Sequence, residues 1–261
     1  MQNTIKLKLA KNEPVLGIWS VIPCPTTVEL IGLAGLDFTI LDMEHGAFDN
    51  PGLANCIRAA ESAKATPLVR VPGESFAAVQ WAVDLGAHGI VFPQVTDTDS
   101  AKNKVASTKF APEGHRGFNP FTRFTKYNAS AARGVGKLSN DFGLNVIIVE
   151  TAAAIKDIDT ILQIPNLDVI YIGIYDLSFA LGYNGDTSNS DLIRQVENLT
   201  KKILLAGKHV GLMVRNQQDI ENAIRQGVRF LVYSVDTNLI RNAAMTVVGE
   251  FNQARTKGKP E

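Results

Sequence analysis

Glu150 and Asp176 stand just beyond two apolar, β-rich runs, NVIIV and DVIYI. If those runs are neighbouring parallel strands, both carboxylates fall at carboxyl ends, where a repeated β/α chain gathers its chemistry. Two carboxylates with no cysteine or histidine beside them suit a hard divalent cation held by oxygen. A third cluster, Asp42-Met43-Glu44-His45, follows the run DFTIL, and Arg70 closes the run PLVR. An acid pair, a histidine and an arginine, all at strand ends, say more together than any one of them alone.

Each residue also has a plainer reading. Glu150 or Asp176 singly could be a helix cap or a first-turn acid. As a pair on adjacent strands, about 5 Å apart, they would repel unless a cation or proton intervened. Two protein ligands leave room for water and a chelating substrate, as Mg²⁺ and Mn²⁺ tolerate. His45, as a histidine, could act as a general base, and Asp42, three residues earlier, could orient its ring; the alternative is a surface histidine beside an acid. Arg70 interrupts an apolar strand, and a buried unpaired guanidinium is costly. It should face an anion, either a substrate oxygen or Asp42 or Glu44. His88, His115 and His209 read as structural. No lysine ends a strand, so a Schiff-base mechanism lacks its nucleophile. SVDTN after the last strand has no glycine-rich turn for phosphate.

Eight runs read as strands: 15–19, 37–41, 67–71, 89–93, 145–149, 168–172, 209–213 and 229–233. Helical stretches separate them, and a final helix, TNLIRNAAMTVVGEFNQA, follows the eighth. This alternation implies a parallel sheet, and eight units favour one (β/α)₈ (TIM) barrel domain over residues 1–261. An open doubly wound sheet would normally carry a glycine-rich first turn, whereas this one reads SVIPCPTT. The link between strands four and five is long, spanning 110–144. It reads either as an active-site wall on the carboxyl face or as an extra helix. The tail TKGKPE reads as mobile.

Lysine plus arginine and aspartate plus glutamate both number 26. That balance argues against nucleic acid or an acidic membrane surface as the main partner. Only Cys24 and Cys56 are present, which fits a reducing cytoplasm better than a disulfide scaffold. The polar start MQNTIKLKLAKNEP does not resemble a signal peptide, and no run nears the ~20 apolar residues of a membrane span.

These residues, in this order, resemble the HpcH/HpaI aldolase family of metal-dependent (class II) pyruvate aldolases. GLDFTILDMEHGAFD matches the family's strand-two signature. PLVRVP, DLGAHGIVFPQV, APEGHRGF, VETAAAIKDID and IGIYDLSFALGY follow at its spacing. The resemblance implies a (β/α)₈ barrel of the phosphoenolpyruvate/pyruvate type, cleaving a 4-hydroxy-2-oxo acid to pyruvate (or a close analogue) and an aldehyde. It implies Glu150 and Asp176 as ligands of Mg²⁺ or Mn²⁺, with Co²⁺ or Zn²⁺ as further options. It also implies His45 as base, Arg70 as the transition-state arginine and Asp84 as the acid raising the base's basicity. Asp84 closes the helix after strand three, at the opposite end of the barrel, so a neighbouring subunit would have to supply it; Asp42 competes for the role. The resemblance further implies a homo-oligomer, a hexamer built from dimers that exchange a C-terminal helix.

Two positions depart from the family pattern. Its substrate-contacting glutamine is Ile148 here, and its Gly-Pro-Ala/Ser-Asp is Gly173-Ile174-Tyr175-Asp176. The backbone amides of Tyr175 and Asp176 retain the means to bind a carboxylate, while Ile148 and Tyr175 reshape the pyruvate side. Decarboxylation of an oxaloacetate-type oxo acid is an alternative activity, and a non-catalytic oxo-acid-binding oligomer is another.

Overall fold

The computed structural model describes residues 2–257. The tail residues 258–261 lie outside them. Eight parallel strands form a closed barrel in chain order: β1 Val15–Ser20, β2 Phe38–Asp42, β3 Thr66–Arg70, β4 Gly89–Phe92, β5 Leu144–Val149, β6 Val169–Ile172, β7 His209–Val214 and β8 Phe230–Val235. β1 pairs with β8, which excludes the open sheet. At the amino-terminal end, Asn3 donates to the carbonyls of His88 and Phe142, just before β4 and β5. Above the β1–β8 seam, the buried Asp236 carboxylate accepts the amides of Val21 and Ile22 at 3.2 and 3.1 Å.

Side chains alternate along each strand, so one parity packs outward on helices and the other fills the lumen. Leu41, Val69, Ile90, Val149 and Ile172 join the outer core. Phe38, Ile40, Leu68, Val91, Val146, Ile148, Tyr171 and Phe230 join the lumen core. Phe38 and Phe230 stack with centroids 4.4 Å apart, and Gly17 faces the Phe38 ring with no room for a Cβ. The helix Thr4–Ala10 lays Ile5 and Leu9 over the amino-terminal end. The lumen is thus plugged at that end, and its free space lies toward the carboxyl ends.

The long link does not form an active-site wall. It follows the helix Thr98–Ala106, which returns the chain to the amino-terminal end before residue 107. From there the link lies along the outside of the helix Phe76–Asp84 and the amino-terminal ends of the strands. Gln80 donates to the Gly117 carbonyl, Arg123 pairs with Glu61 and reaches the Leu85 carbonyl, and the helix Val135–Phe142 ends beside Asn3. Phe118, Phe121, Arg123, Phe124 and Tyr127 therefore lie away from the cavity of their own chain. The extra-helix reading holds in part, as that helix and two short 3₁₀ turns.

Candidate active site

A cavity of about 240 Å³ opens at the carboxyl ends of the strands, lined by Asp42, His45, Arg70, Glu150 and Asp176 among others. Its polar residues share the lumen parity. In β2, Ile40 points in, Leu41 out and Asp42 in; β3 repeats this with Leu68, Val69 and Arg70. Register places Asp42 directly opposite Arg70. Asp42 is fully buried and pairs with the guanidinium through Nη2 and through Nε at 2.7 Å. Glu44 lies 3.3 Å from Nη1. Burial opposes charge on Arg70, but Asp42, Glu44 and Glu150 together hold its pKa above the usual value. The guanidinium also lies 4.4 Å over the Trp19 ring, a cation–π contact. The ion-pair reading of Arg70 is therefore realised, and the side chain also lines the cavity.

The turn after β2 is shaped by Asp42, whose Oδ1 accepts the amides of Glu44 at 2.9 Å and His45 at 3.2 Å. Such side-chain-to-backbone bonding is characteristic of aspartate turns. The carboxylate thus meets His45 through its backbone, which corrects the expectation that it orients the ring. The exposed ring lines the cavity mouth and has no hydrogen-bond partner among the described residues.

Glu150 is nearly buried, and burial pushes its carboxyl up. The Gln94 amide opposes that rise, while Asp176 and Glu44 add to it by repulsion. Asp176 lies in the first turn of the helix Ile174–Ala180, exposed to the cavity. Gly173 precedes that helix against Glu150. A Cβ there would lie 2.9 Å from Ile148 Cγ2 and 3.1 Å from Glu150 Cβ, so close approach requires glycine. The strain of gathered negative charge and the all-oxygen donor set fit a hard divalent cation. Among the described residues no cluster of three or more His, Cys, Asp or Glu is arranged to hold a metal, so water and substrate would have to complete the shell.

Asp84 stands apart from this group. Its Oδ1 accepts from Arg116 Nη2 at 2.7 Å and its Oδ2 from Gln80 Nε2 at 2.6 Å, on the outer side of the barrel. Within its own chain it has no bond to His45. Three site residues escaped the sequence reading. Gln94, with a left-handed φ of 53°, donates its amide to Glu150 Oε1 at 2.6 Å and its side chain to Glu44 Oε1 at 2.8 Å. Its position just past β4, like that of Glu150 past β5, was the available signal. Trp19 and Tyr171 line the floor, the indole N–H donating to the Tyr171 hydroxyl at 3.3 Å; lumen parity was the signal for both.

The chain is similar to the hydroxypyruvate/pyruvate aldolase of Roseobacter denitrificans, with 29% identity over 259 residues, covering 96% of this chain and 98% of that protein. It is also similar to the 5-keto-4-deoxy-D-glucarate aldolase of Shigella boydii, at 26% identity over 252 residues and 96% and 97% coverage. Its fold matches the crystal structure of the citrate synthase SbnG with a TM-score of 0.88, at 29% identity and 96% and 98% coverage. A family protein from Burkholderia cenocepacia matches with a TM-score of 0.90, at 26% identity and 96% and 100% coverage. The sequence profile of the HpcH/HpaI aldolase/citrate lyase family spans residues 16–243, and with the barrel and its cavity this establishes that the chain belongs to that family.

Proposed function

We propose that the protein is a carbon–carbon lyase of the class II aldolase type, reversibly cleaving a 4-hydroxy-2-oxo acid to pyruvate, or a close analogue, and an aldehyde. The observation that carries this reading is the convergence of Arg70, His45, Glu150 and Asp176 on one cavity. Glu150 and Asp176 would hold a divalent cation, Mg²⁺ or Mn²⁺ by donor type, which when bound would polarise the 2-oxo carbonyl. The amides of Tyr175 and Asp176 open a helix and lack intrahelical acceptors, so they suit the substrate carboxylate. His45 takes the proton of the C4 hydroxyl as C4 becomes the aldehyde carbonyl. The C3–C4 electron pair passes toward the 2-oxo oxygen, where the Arg70 charge stabilises it. A proton then returns to C3 and completes pyruvate.

Asp84 can serve His45 only across a subunit boundary, so its role depends on assembly. The exposed apolar side of the C-terminal helix Asp236–Lys257, including Val247 and Phe251, supports a homo-oligomer. Two free cysteines suit a reducing cytoplasm, and no helix among the described residues is long and apolar enough to cross a membrane.

The test is loss of the pyruvate methyl proton signal in D₂O with Mn²⁺ or Mg²⁺, repeated with EDTA. Metal-dependent exchange is expected, slowed about 10²–10³-fold in Glu150→Ala, the scale on which removing a key electrostatic group acts. Full metal-dependent exchange in that variant would refute the site. The unanchored His45 ring favours one second reading, 2-oxo-acid decarboxylation, which needs no base at C4. Under that reading His45→Ala would keep decarboxylating oxaloacetate; as an aldolase, the variant should lose aldol cleavage far more than decarboxylation.

A further inference from the structure

The cavity floor holds a hydrogen-bond donor that the chain itself leaves unused. Tyr171 is buried, with 4% of its surface exposed, and its hydroxyl accepts the Trp19 indole N–H at 3.3 Å. That bond occupies a lone pair of the oxygen and leaves the phenolic proton, which has no acceptor among the described residues. Burial pushes the phenol up to about 12, so the proton stays in place at neutral pH. A buried donor without an acceptor is costly. The open space beside it is the cavity, which Tyr171 lines, so the acceptor has to come from whatever fills that cavity.

The ring is fixed from three sides. Gly211 is its neighbour in register on β7, and a Cβ there would lie 2.8 Å from Tyr171 Cδ2. Trp19 packs against it edge-on, with centroids 5.6 Å apart. Ile148 stands beside it in register on β5. Because Ile148 precedes Glu150 by two residues, on the same lumen parity, the ring starts one layer below Glu150. Arg70 lies over the Trp19 ring at 4.4 Å. The phenolic proton is therefore offered from beneath to the part of the cavity that Arg70 and Glu150 bound.

Under the aldolase reading, a divalent ion on Glu150 and Asp176 and the Arg70 charge gather the oxygens of the 2-oxo acid end in that part, while C4 lies beside His45 at the mouth. Ion and guanidinium supply the charge those oxygens need. A neutral O–H at a fixed place adds direction to their binding without adding charge.

We propose that Tyr171 is a further substrate-binding residue, whose hydroxyl donates to an oxygen of the 2-oxo acid end. The proposal rests on the aldolase reading above, and the phenol keeps its proton throughout.

The experiment measures kcat/KM for metal-dependent exchange of the pyruvate methyl protons in D₂O. Mn²⁺ affinity is measured beside it, from the paramagnetic resonance signal of the free ion. Both are compared in the wild type, in Tyr171→Phe, and in Tyr171→Phe combined with Ile148→Gln. Tyr171→Phe keeps the ring and removes only the hydroxyl. Losing a hydrogen bond to a charged oxygen should lower kcat/KM about 10-fold or more, with Mn²⁺ affinity at the wild-type value. Ile148→Gln brings an amide donor to the adjoining lumen position and should recover several-fold of that loss, which a packing role for the phenol would not allow. Exchange in Tyr171→Phe at the wild-type rate, a parallel fall in Mn²⁺ affinity, or a loss that Ile148→Gln leaves untouched overturns the proposal and leaves the aldolase reading standing. Absence of exchange in the wild type overturns both.

Discussion

Asp42 is the residue on which the arrangement of the site turns. It has no exposed surface, and it accepts from Arg70 and from the amides of Glu44 and His45. Removing one partner of a buried pair leaves the other charge uncompensated, at about 3–5 kcal/mol. Asp42→Ala should lower unfolding free energy toward that range in urea titrations, and activity should fall with it because Arg70 loses its aim. Asp42→Asn, which keeps the shape and one acceptor oxygen, should cost less. An Asp42→Ala protein with wild-type stability would show the pair to be incidental. Asp42 and Arg70 were both legible in the sequence as strand-end residues. An Asp42–Arg70 pair was among the alternatives the sequence offered, as was an Asp42–His45 pair; the choice between them was not legible, because it follows from the register of β2 on β3, and no local pattern encodes register across two strands.

At the scale of elements, strand ends decide what enters the cavity and helix direction decides what does not. All eight strands were readable from their apolar, β-branched runs, and that placed Glu150, Asp176 and Arg70 correctly. The link spanning 110–144 was misplaced because a helix precedes it, and a helix carries the chain back to the opposite end. Gln94 escaped because its contribution to Glu150 is a backbone amide in a left-handed conformation, which side-chain type does not announce. Gly173→Ala tests the junction between β6 and the following helix. Its Cβ would meet Ile148 and Glu150, so the divalent cation should bind about 10-fold more weakly by calorimetry, displacement of a ligand by a fraction of an ångström being enough. Unchanged affinity would mean that Glu150 can retreat freely.

On the opposite end, Glu61 ties the long link to the barrel through Arg123 and His88. Burial raises its carboxyl, but hydrogen bonds from His88 and Arg123 outweigh that and hold it down at about 2. A depressed folded value means that this contribution is complete above the ordinary 4.5 and disappears as pH falls toward 2. Amide exchange in residues 122–127 should therefore rise as pH is lowered through that window, after correction for intrinsic rates, and Glu61→Gln should flatten the response. A flat wild-type response would remove Glu61 as the anchor.

For the whole molecule, closure of the barrel was legible from the count of strands and the absence of a glycine-rich first turn. The bearing of the last helix came only through the family resemblance, as a helix exchanged between subunits. Asp236–Lys257 leaves β8 with Ile240, Met245, Val247, Val248 and Phe251 exposed, and Leu30 and Leu33 are exposed on the helix Pro25–Leu33. Exposed apolar area of this extent is what an interface would cover, which supports the proposed homo-oligomer. Light scattering on a sizing column should find the wild type oligomeric at micromolar concentration, and Val247→Asp with Phe251→Asp should yield smaller species. Loss of aldol activity in those species, with the barrel still folded by circular dichroism, would agree with Asp84 acting between subunits. A monomeric, fully active wild type would end that account.

The stacked Phe38 and Phe230 and the helix Thr4–Ala10 beneath them leave the cavity with a single door. Under the proposed aldolase reading the oxo acid end lies inside and the C4 end beside His45 at the mouth, so the aldehyde should leave first and the oxo acid last. In product-inhibition kinetics, pyruvate should therefore compete with the cleavage substrate for free enzyme, while the aldehyde should give mixed, non-competitive inhibition.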